Sequence, residues 1–334
     1  MIVAANHEQL NRAQGVLLGQ LAGDALGSMV EFMAVERIRQ LHPGGLREIG
    51  PSPVFGTLAG QPTDDSEMAL ALARTLVQYG FDVEQIARAY ATWMVSPPFD
   101  SGGATQRALL PAAAALRQGQ PVAEAARSNA SRDSEANGAL MRQSPLAIWG
   151  ANLPPEQLAA YVTADTELTH PNPVCVDAST AYIVALAAAV GEGLDARTTY
   201  ERAVAWQAAH GRTQTITATL AAAATQPPAD YQPQMGHVVK ALQNAFYQLL
   251  HSDSLEAVVV ATVMAGGDTD TNAAIATALL GGVYGLAAIP RQWREAVLSC
   301  RPEAGPGVGQ PRPQVYWPLD ALALAEKLLD HARG

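Results

Sequence analysis

The sequence of 334 residues contains few cysteines, and Cys175 and Cys300 are the only two. Two thiols cannot supply the disulfide framework on which many secreted proteins depend, so we expect a reducing, cytoplasmic location. The amino-terminal segment MIVAANHEQLNRAQG lacks both a basic region and a long apolar core. It therefore does not predict a secretory signal peptide.

Basic side chains are also scarce. Lysine occurs only at Lys240 and Lys327, and 21 basic residues face 31 acidic ones, which gives a formal net charge of −10. Proteins that bind the phosphate backbone of nucleic acids need clustered Lys and Arg, so we expect no binding of this kind. The surplus carboxylates either cover an acidic surface or are gathered at a site.

Aromatic residues make up only 6% of the chain and charged residues 16%, whereas hydrophobic residues reach 49%. Such a chain can bury a large apolar core, which excludes a disordered protein. The apolar residues are largely Ala, Leu and Val, and this composition favours packed helices over a β-sandwich. The uncharged run at residues 273–289 is short and weakly apolar, so it predicts a buried helix and no membrane span.

Apolar residues recur at helical spacing along most of the chain, and no βαβ rhythm interrupts them. The pattern predicts helices at residues 10–29, 68–79, 83–94, 158–164, 178–190, 199–209, 235–250, 255–264 and 321–332, and one that follows residue 268. Proline-containing breaks lie at 51–53, 97–98, 226–233 and 301–313.

These elements predict one compact all-α domain over residues 1–334, with roughly ten or more helices. We expect its core at about 10–295 and a C-terminal loop and helix at 300–332. Because the helices can bury their apolar faces within one chain, we expect a monomer.

Two acidic segments each open a predicted helix. The first contains Thr63, Asp64 and Asp65, and Glu67 follows three residues after Asp64. Helix capping is one interpretation, because Thr and Asp are common N-caps and the Asp64–Glu67 spacing resembles a capping box.

The second segment contains Asp268, Asp270 and Thr271 directly after a pair of glycines, and it nearly copies the first. Carboxylates and hydroxyls without His or Cys are the ligands that hard cations select, so Mg²⁺ or Mn²⁺ fits better than Zn²⁺. Four Asp at two converging helix starts would repel one another unless cations neutralised them. Together the two segments favour a dinuclear metal site over two independent caps.

A third acidic element contains Asp24 and Glu31, which are seven residues apart and would share a face on an unbroken helix. They belong either to a solvated surface or to a site. Apolar neighbours such as Leu26 and Val30 make an unpaired carboxylate at this place costly.

Five segments, in this order, resemble the motifs of the ADP-ribosylglycohydrolase family, and most closely the bacterial type that activates dinitrogenase reductase. They are GDALGSMVE at 23–31, TDDSEM at 63–68, ANGALMRQSPLAI at 136–148, LTHPN at 168–172 and GGDTDTNAA at 266–274. The likeness runs from Gly15 to about Trp293. Three departures are Ser66 in place of Thr, Ala136 in place of Gly, and the pair Gly103-Ala104 in place of a more polar pair.

The resemblance implies a central cleft that holds two divalent cations, Mg²⁺ or Mn²⁺, with Glu31 beside them. The implied metal ligands are Thr63, Asp64, Asp65, Asp268, Asp270 and Thr271. The residues implied in catalysis are Asp100, Glu31 and Asp65.

The resemblance also implies a substrate cleft for ADP-ribose. The backbone at Ser101, Gly102 and Gly103 would approach the diphosphate, His170 would lie near the nucleoside half, and the remaining lining residues would be Asn137, Gly138, Ala139 and Met141. From the sequence alone, Asp100 can instead form an Asx-turn before the glycines, and His170 can be a structural histidine beside Pro171.

The activity that follows is hydrolysis of the N-glycosidic bond at the distal ribose of ADP-ribose on a modified protein, that is, reversal of ADP-ribosylation. Asp100 favours the arginine linkage, since a carboxylate pairs with a guanidinium. Serine-linked ADP-ribose and O-acetyl-ADP-ribose remain alternatives, as does a non-catalytic regulator that binds ADP-ribose. A metal-dependent phosphohydrolase is disfavoured because no Arg or Lys accompanies either Asp segment.

Overall fold

The computed structural model describes residues 2–252 and 254–331. That part of the chain contains sixteen α-helices and no β-strand, which confirms the all-α prediction. The helices are α1 (Ile2–Gly27), α2 (Val35–Leu41), α3 (Asp64–Tyr79), α4 (Val83–Val95), α5 (Gly103–Arg117), α6 (Val122–Asn129), α7 (Ser144–Trp149), α8 (Pro155–Thr166), α9 (Pro173–Glu192), α10 (Ala196–His210), α11 (Gln214–Ala223), α12 (Val238–His251), α13 (Leu255–Met264), α14 (Thr269–Tyr284), α15 (Arg291–Ser299) and α16 (Ala321–His331).

The predicted helices correspond to ten of these, and the predicted breaks all lie between helices. Helices α2, α5, α6, α7, α11 and α15 were not predicted from the sequence. Helix α5 lacks clear signals because it opens on a glycine and contains Pro111. The first predicted helix extended to residue 29, whereas α1 ends at Gly27; residue 332 of the last predicted helix lies outside the described residues.

Helices α1 and α14 pack backbone against backbone. Four glycines of α1, spaced four residues apart, lie on the face that meets α14. A Cβ atom at any of them would come within 2.6 Å of a carbonyl oxygen of α14, and the pairs are Gly15 with Gly281, Gly19 with Thr277, Gly23 with Ala273, and Gly27 with Thr269. The glycines therefore fix how closely the two helices approach, and we call them the glycine stripe.

Helix α9 is the most apolar long helix, and by length and composition it could cross a membrane. It packs against α7, α8, α10 and α14 instead, and 94% of its most apolar 18-residue stretch is buried inside the protein. Residues 273–284 of the uncharged run form most of α14, and residues 273–283 are buried there as predicted.

The packing brings three chain segments together at one end of the α1–α14 pair. The Thr269 hydroxyl, at the start of α14, donates a hydrogen bond to the Gly27 carbonyl at the end of α1 (2.7 Å). The Gln20 amide of α1 donates to the carbonyl oxygens of Asp65 (3.2 Å) and Met141 (2.9 Å). The start of α3, the start of α14 and the 137–142 segment therefore surround one place.

Candidate active site

A cavity of about 330 Å³ opens where these segments meet. The residues that line it include fourteen of those predicted from the sequence: Glu31, Asp64, Asp65, Asp100, Ser101, Gly102, Gly103, Asn137, Gly138, Met141, His170, Asp268, Asp270 and Thr271. Two further predicted residues, Thr63 and Ala139, are buried next to the cavity and are not among its lining residues.

Carboxylates make up the floor of the cavity, and each of them is buried. Glu31, Asp268 and Asp270 each place one carboxylate oxygen within 4.8 Å of the other two. Asp64 and Asp65 line the same cavity from the start of α3. We call these five residues the carboxylate cluster.

Burial raises the pKa of every member of the carboxylate cluster, and repulsion between carboxylates adds to the shift at Glu31, Asp64, Asp65 and Asp270. Burial is the largest cause, and it raises the pKa of Glu31 to about 9, with the charge of Asp268 adding to the effect. The pKa values of Asp64, Asp65 and Asp270 lie well above the ordinary aspartate range, because of burial first and neighbouring carboxylates second. If fully ionised, the cluster would therefore carry more negative charge than the surrounding protein stabilises by itself.

Two oxygens of the carboxylate cluster have no donor. Glu31 Oε2 and Asp65 Oδ1 are buried and accept no hydrogen bond from any described residue. Buried oxygens of this kind are costly unless something positive contacts them. An all-oxygen set of carboxylates fits a hard divalent cation, so the cluster could hold a metal.

The helix-capping interpretation of the two acidic segments does not describe the structure. Thr63 and Asp268 are the N-caps of α3 and α14, and neither side chain caps its helix by a hydrogen bond. The Glu67 side chain points away from the start of α3. It pairs with Arg312 (2.7 Å) and accepts a hydrogen bond from Trp93 (2.8 Å).

The solvated-surface interpretation of Asp24 and Glu31 is also wrong, because both side chains are buried. They do not share a helix face either, since α1 ends at Gly27 and Glu31 lies in the following turn. Asp24 accepts hydrogen bonds from the Thr63 backbone (3.1 Å) and hydroxyl (2.9 Å). It therefore positions the start of α3 beneath the cavity.

Hydroxyl groups link the two acidic segments. The Thr63 hydroxyl lies 3.2 Å from Asp65 Oδ2, and the Thr271 hydroxyl lies 3.3 Å from the same oxygen. The loop before α14 passes through Gly267, which has a φ of +81°. A Cβ atom at this position would collide with the Tyr231 carbonyl. This backbone conformation brings Asp268 into the cavity.

Asn137 contacts the carboxylate cluster directly. Its side-chain amide donates a 2.7 Å hydrogen bond to Asp268 Oδ2, and its backbone N–H donates to the Gly236 carbonyl (2.9 Å). The next residue, Gly138, leaves an open cradle: a Cβ atom there would lie 3.0 Å from both the Thr105 hydroxyl and the His170 ring. Asn137 thus joins the cluster to the part of the cavity lined by His170.

His170 is held by a buried chain of hydrogen bonds. Its Nδ1 lies 2.8 Å from the Thr169 hydroxyl, which accepts a hydrogen bond from Arg142 (2.9 Å). Arg142 is itself paired with Asp165 at 3.3 Å. Burial, with the charge of Arg142, lowers the pKa of His170 to about 3, so the imidazole is neutral.

Asp100 lies at the wall of the cavity, just before α5. Burial raises its pKa, and the charge of Asp268 adds to the shift. Gly102 is the N-cap of α5, so the first backbone N–H groups of this fifteen-residue helix lie beside the cavity. None of the described lining residues is Lys or Arg, which agrees with the argument against a phosphohydrolase.

Several residues that line or support the cavity were not predicted from the sequence. Phe32, Thr105, Met235 and Gly236 line it, and Arg142 supports it from below. Phe32 follows Glu31 directly and Arg142 lies within the 136–148 motif, so their positions in the sequence were available signals. Thr105 and Gly236 carry no such signal.

Comparison with known proteins identifies the same family along the whole chain. The sequence model of the ADP-ribosylglycohydrolase family matches residues 5–332. The ADP-ribosyl-[dinitrogen reductase] glycohydrolase of Rhodospirillum rubrum is 30% identical over 293 residues, which cover 85% of this chain and 89% of that protein. The ADP-ribosylarginine hydrolase Tri1 of Pseudomonas putida (strain GB-1) is 30% identical over 333 residues, 97% of this chain and 80% of that protein.

A solved structure of an ADP-ribosylglycohydrolase-related protein complex has the same fold. It superposes with a TM-score of 0.77 at 24% identity and covers 98% of this chain and 99% of that one. The fold, the buried acidic cavity and the match over residues 5–332 agree with one another. The chain therefore belongs to the ADP-ribosylglycohydrolase family and is a glycohydrolase.

Proposed function

We propose that this enzyme removes ADP-ribose from arginine side chains of proteins by hydrolysing the N-glycosidic bond at the distal ribose, with the help of two divalent cations. The carboxylate cluster carries the proposal: five buried carboxylates in one cavity have no basic partner among the described lining residues. Two relatives named above are a glycohydrolase of ADP-ribosylated dinitrogen reductase and an ADP-ribosylarginine hydrolase.

The cations would be Mg²⁺ or Mn²⁺, held by Asp64, Asp65, Asp268 and Asp270 with the hydroxyls of Thr63 and Thr271. Cations held by these residues would supply a means to orient the ribose hydroxyls and to lower the pKa of the water molecule that attacks the anomeric carbon. Glu31 lies among these ligands, with one carboxylate oxygen free of any described hydrogen-bond donor.

The remaining cavity fits the other parts of ADP-ribose. The N–H groups at the start of α5 suit the diphosphate, because a helix N-terminus favours anions without any basic side chain. The neutral His170 and the Thr105 hydroxyl converge above Gly138, where they can hydrogen-bond a nucleoside hydroxyl. Asn137 holds Asp268 in place between these two parts.

Asp100 supports the arginine linkage. Its carboxylate lines the same cavity as Asp64 and Glu31, at the wall formed by the loop before α5. A carboxylate accepts two parallel hydrogen bonds from a guanidinium, which fixes the plane of the modified arginine against the distal ribose. The developing positive charge at the anomeric carbon is then stabilised by the surrounding carboxylates.

The test compares three substrates, with and without Mg²⁺ or Mn²⁺, by measuring free ADP-ribose. We expect turnover of an ADP-ribosyl-arginine peptide that requires a divalent cation and stops with EDTA. Preferred turnover of serine-linked ADP-ribose or O-acetyl-ADP-ribose would contradict the arginine linkage. Binding of all three without turnover would favour the non-catalytic regulator.

A pair of variants tests the metal ligands. Asp270→Ala is expected to lower cation-dependent turnover by at least about 100-fold while the helical circular dichroism spectrum is retained. Glu156→Ala is the matched control, because Glu156 is an exposed carboxylate of α8 outside the cavity. Ordinary turnover by Asp270→Ala would contradict the dinuclear assignment.

A further inference from the structure

An exposed aromatic side chain lies at the mouth of the active-site cavity. Phe32 lines the cavity together with Asp64 and Asp100, yet 58% of its surface remains exposed. A large aromatic residue at such a place is unusual, because burial of its ring would be favourable. The ring is therefore available to a molecule that enters the cavity.

The backbone of Phe32 is also unfavourable for its side chain. Its φ is +61°, in the left-handed region that a bulky residue seldom adopts and that glycine or asparagine adopts readily. The Phe32 N–H donates to the carbonyl of Gly267, in the loop that leads to Asp268 (3.3 Å). Residues with a strained backbone of this kind concentrate at binding sites and ligand clamps.

Phe32 begins a row of aromatic rings that leads to Asp100. Its ring lies 6.4 Å from the ring of Phe55 in an edge-to-face arrangement, and the Phe55 ring lies 5.6 Å from that of Phe99. Phe99 directly precedes Asp100 in the chain. The row thus connects an exposed aromatic ring to the cavity wall that presents the Asp100 carboxylate, and we call Phe32, Phe55 and Phe99 the aromatic rim.

The chemistry of this rim fits one kind of group. A guanidinium is planar and cationic, so it stacks on an aromatic face while a carboxylate accepts its N–H groups. The cavity is strongly acidic, which favours a cation over a neutral group. The linkage atoms of serine-linked ADP-ribose and O-acetyl-ADP-ribose carry neither a planar cation nor several N–H donors.

We propose that Phe32 is a specificity-determining residue that stacks on the guanidinium of the ADP-ribosylated arginine while Asp100 accepts its N–H groups. The inference rests on the arginine linkage proposed above. It adds that an aromatic ring, in addition to a carboxylate, distinguishes arginine from other acceptors. Phe55 supports the ring of Phe32 from behind and does not contact substrate.

The test compares Phe32→Leu and Phe32→Trp with the unaltered enzyme on an ADP-ribosyl-arginine peptide and on O-acetyl-ADP-ribose, both with saturating Mg²⁺. Leucine keeps the apolar bulk and the backbone strain but removes the π face. We expect Phe32→Leu to lower the ratio of kcat/KM for the arginine peptide over that for O-acetyl-ADP-ribose by about 5-fold, mainly through KM. Phe32→Trp should retain or raise this ratio.

The outcomes separate the two proposals. If the unaltered enzyme fails to cleave the arginine peptide, the proposed function and the role of Phe32 are both refuted. If it cleaves the peptide but Phe32→Leu changes both substrates equally or neither, only the role of Phe32 is refuted. The melting temperature of each variant is compared with that of the unaltered enzyme. The comparison shows whether loss of folded protein accounts for an equal fall in kcat/KM for both substrates.

Discussion

Two buried groups of charged residues lie next to each other in this protein, and they are organised in opposite ways. The carboxylate cluster gathers five acidic side chains without a basic partner among the described residues that line the cavity. The second group, which we call the arginine network, pairs Arg142 with Asp165, and neither side chain has any solvent exposure. The first group is an unpaired acidic site that could hold an added cation, whereas the second is an ion pair that is already neutral.

The arginine network leaves few polar atoms unsatisfied. Asp165 accepts hydrogen bonds from the Tyr90 hydroxyl (2.8 Å) and the Gln143 amide (2.8 Å), in addition to that from Arg142. Arg142 also donates to the Thr169 hydroxyl and lies over the Tyr90 ring at 4.4 Å. A buried ion pair is tolerated only with this degree of hydrogen bonding. The network is thus a rigid support for the Gly138 and His170 side of the cavity.

The same contrast occurs within one helix turn. Asp65 in the first turn of α3 keeps a buried oxygen without a donor, whereas Glu67 two residues later is fully engaged by Arg312 and Trp93. Sequence proximity therefore does not decide which carboxylate is structural. The presence of a basic partner from a distant segment decides it.

The largest expected effect of a substitution concerns the paired region. Arg142→Met should lower the free energy of unfolding by about 3–5 kcal/mol, because Asp165 would remain buried without its counter-charge. Urea denaturation followed by circular dichroism measures the change. The double variant Arg142→Met/Asp165→Leu should recover part of the loss, and a double variant as unstable as the single one would contradict the pairing argument.

Cation binding to the carboxylate cluster should raise the free energy of unfolding by a somewhat smaller amount. A divalent cation at 100 times its Kd should raise the free energy of unfolding by about 2.7 kcal/mol per site, since the unfolded chain does not assemble the cluster. The melting temperature as a function of Mg²⁺ or Mn²⁺ concentration measures this gain, and EDTA should reverse it. Asp270→Ala should show a much smaller gain, whereas an equal gain would place the cation elsewhere.

The pH dependence of stability should also distinguish the two regions. The folded protein holds the protons of Asp24 and Glu31 up to a pKa of about 7 and about 9, while the unfolded chain releases them near its ordinary carboxylate pKa. Stability contributed by these groups is therefore greatest in acid and falls as the pH rises toward those values, by about 1.4 kcal/mol per pH unit for each proton.

This pH effect applies to the protein without a divalent cation. Chemical denaturation in EDTA between pH 5 and pH 9 should show the decline, and saturating Mg²⁺ should flatten it because the cation replaces the protons. A stability that rises with pH in EDTA would show that the cluster is already neutralised within the chain.

The smallest expected effect lies where the arginine network meets the cavity. Thr169→Val removes the hydroxyl between Arg142 and His170 and should lower kcat/KM by about 5-fold. It should also lower the free energy of unfolding by about 1 kcal/mol, because a buried Arg142 N–H loses its acceptor. The buried Thr169 hydroxyl accepts from Arg142, so we expect it to donate to His170 Nδ1 and leave the proton on Nε2. Nitrogen-15 NMR of the imidazole measures this tautomer, and a proton on Nδ1 in the unaltered enzyme would contradict the expectation.

The predicted site residues that the structure brings to the cavity are local in the chain. Asp64, Asp65, Asp268 and Asp270 are recognisable because the acidic residues open helices within a few positions of one another. The helices themselves were predictable where apolar spacing is regular, as in α3 and α4. Pro111 and the opening glycine of α5 obscured the helix that brings Thr105 to the cavity.

The parts that were not predicted depend on contacts between distant segments. The role of Glu67 depends on Arg312, which lies 245 residues later in the chain. The turn that places Glu31 beside Asp270 begins where Gly27 meets the start of α14. The spacing of four glycines was visible in the sequence, but it does not show which helix they face. These glycines are Gly15, Gly19, Gly23 and Gly27.

The glycine stripe has a consequence for the precision of the site. Side chains that separate two helices can change rotamer, and the spacing between the helices then varies with temperature and with neighbouring substitutions. Backbone atoms in direct contact have no rotamers, so the distance between the end of α1 and the start of α14 is set by van der Waals contact between the two backbones. Metal–oxygen bonds tolerate only about 0.2 Å of error. The glycine stripe thus keeps constant the distance between the part of the carboxylate cluster that follows α1 and the part that opens α14.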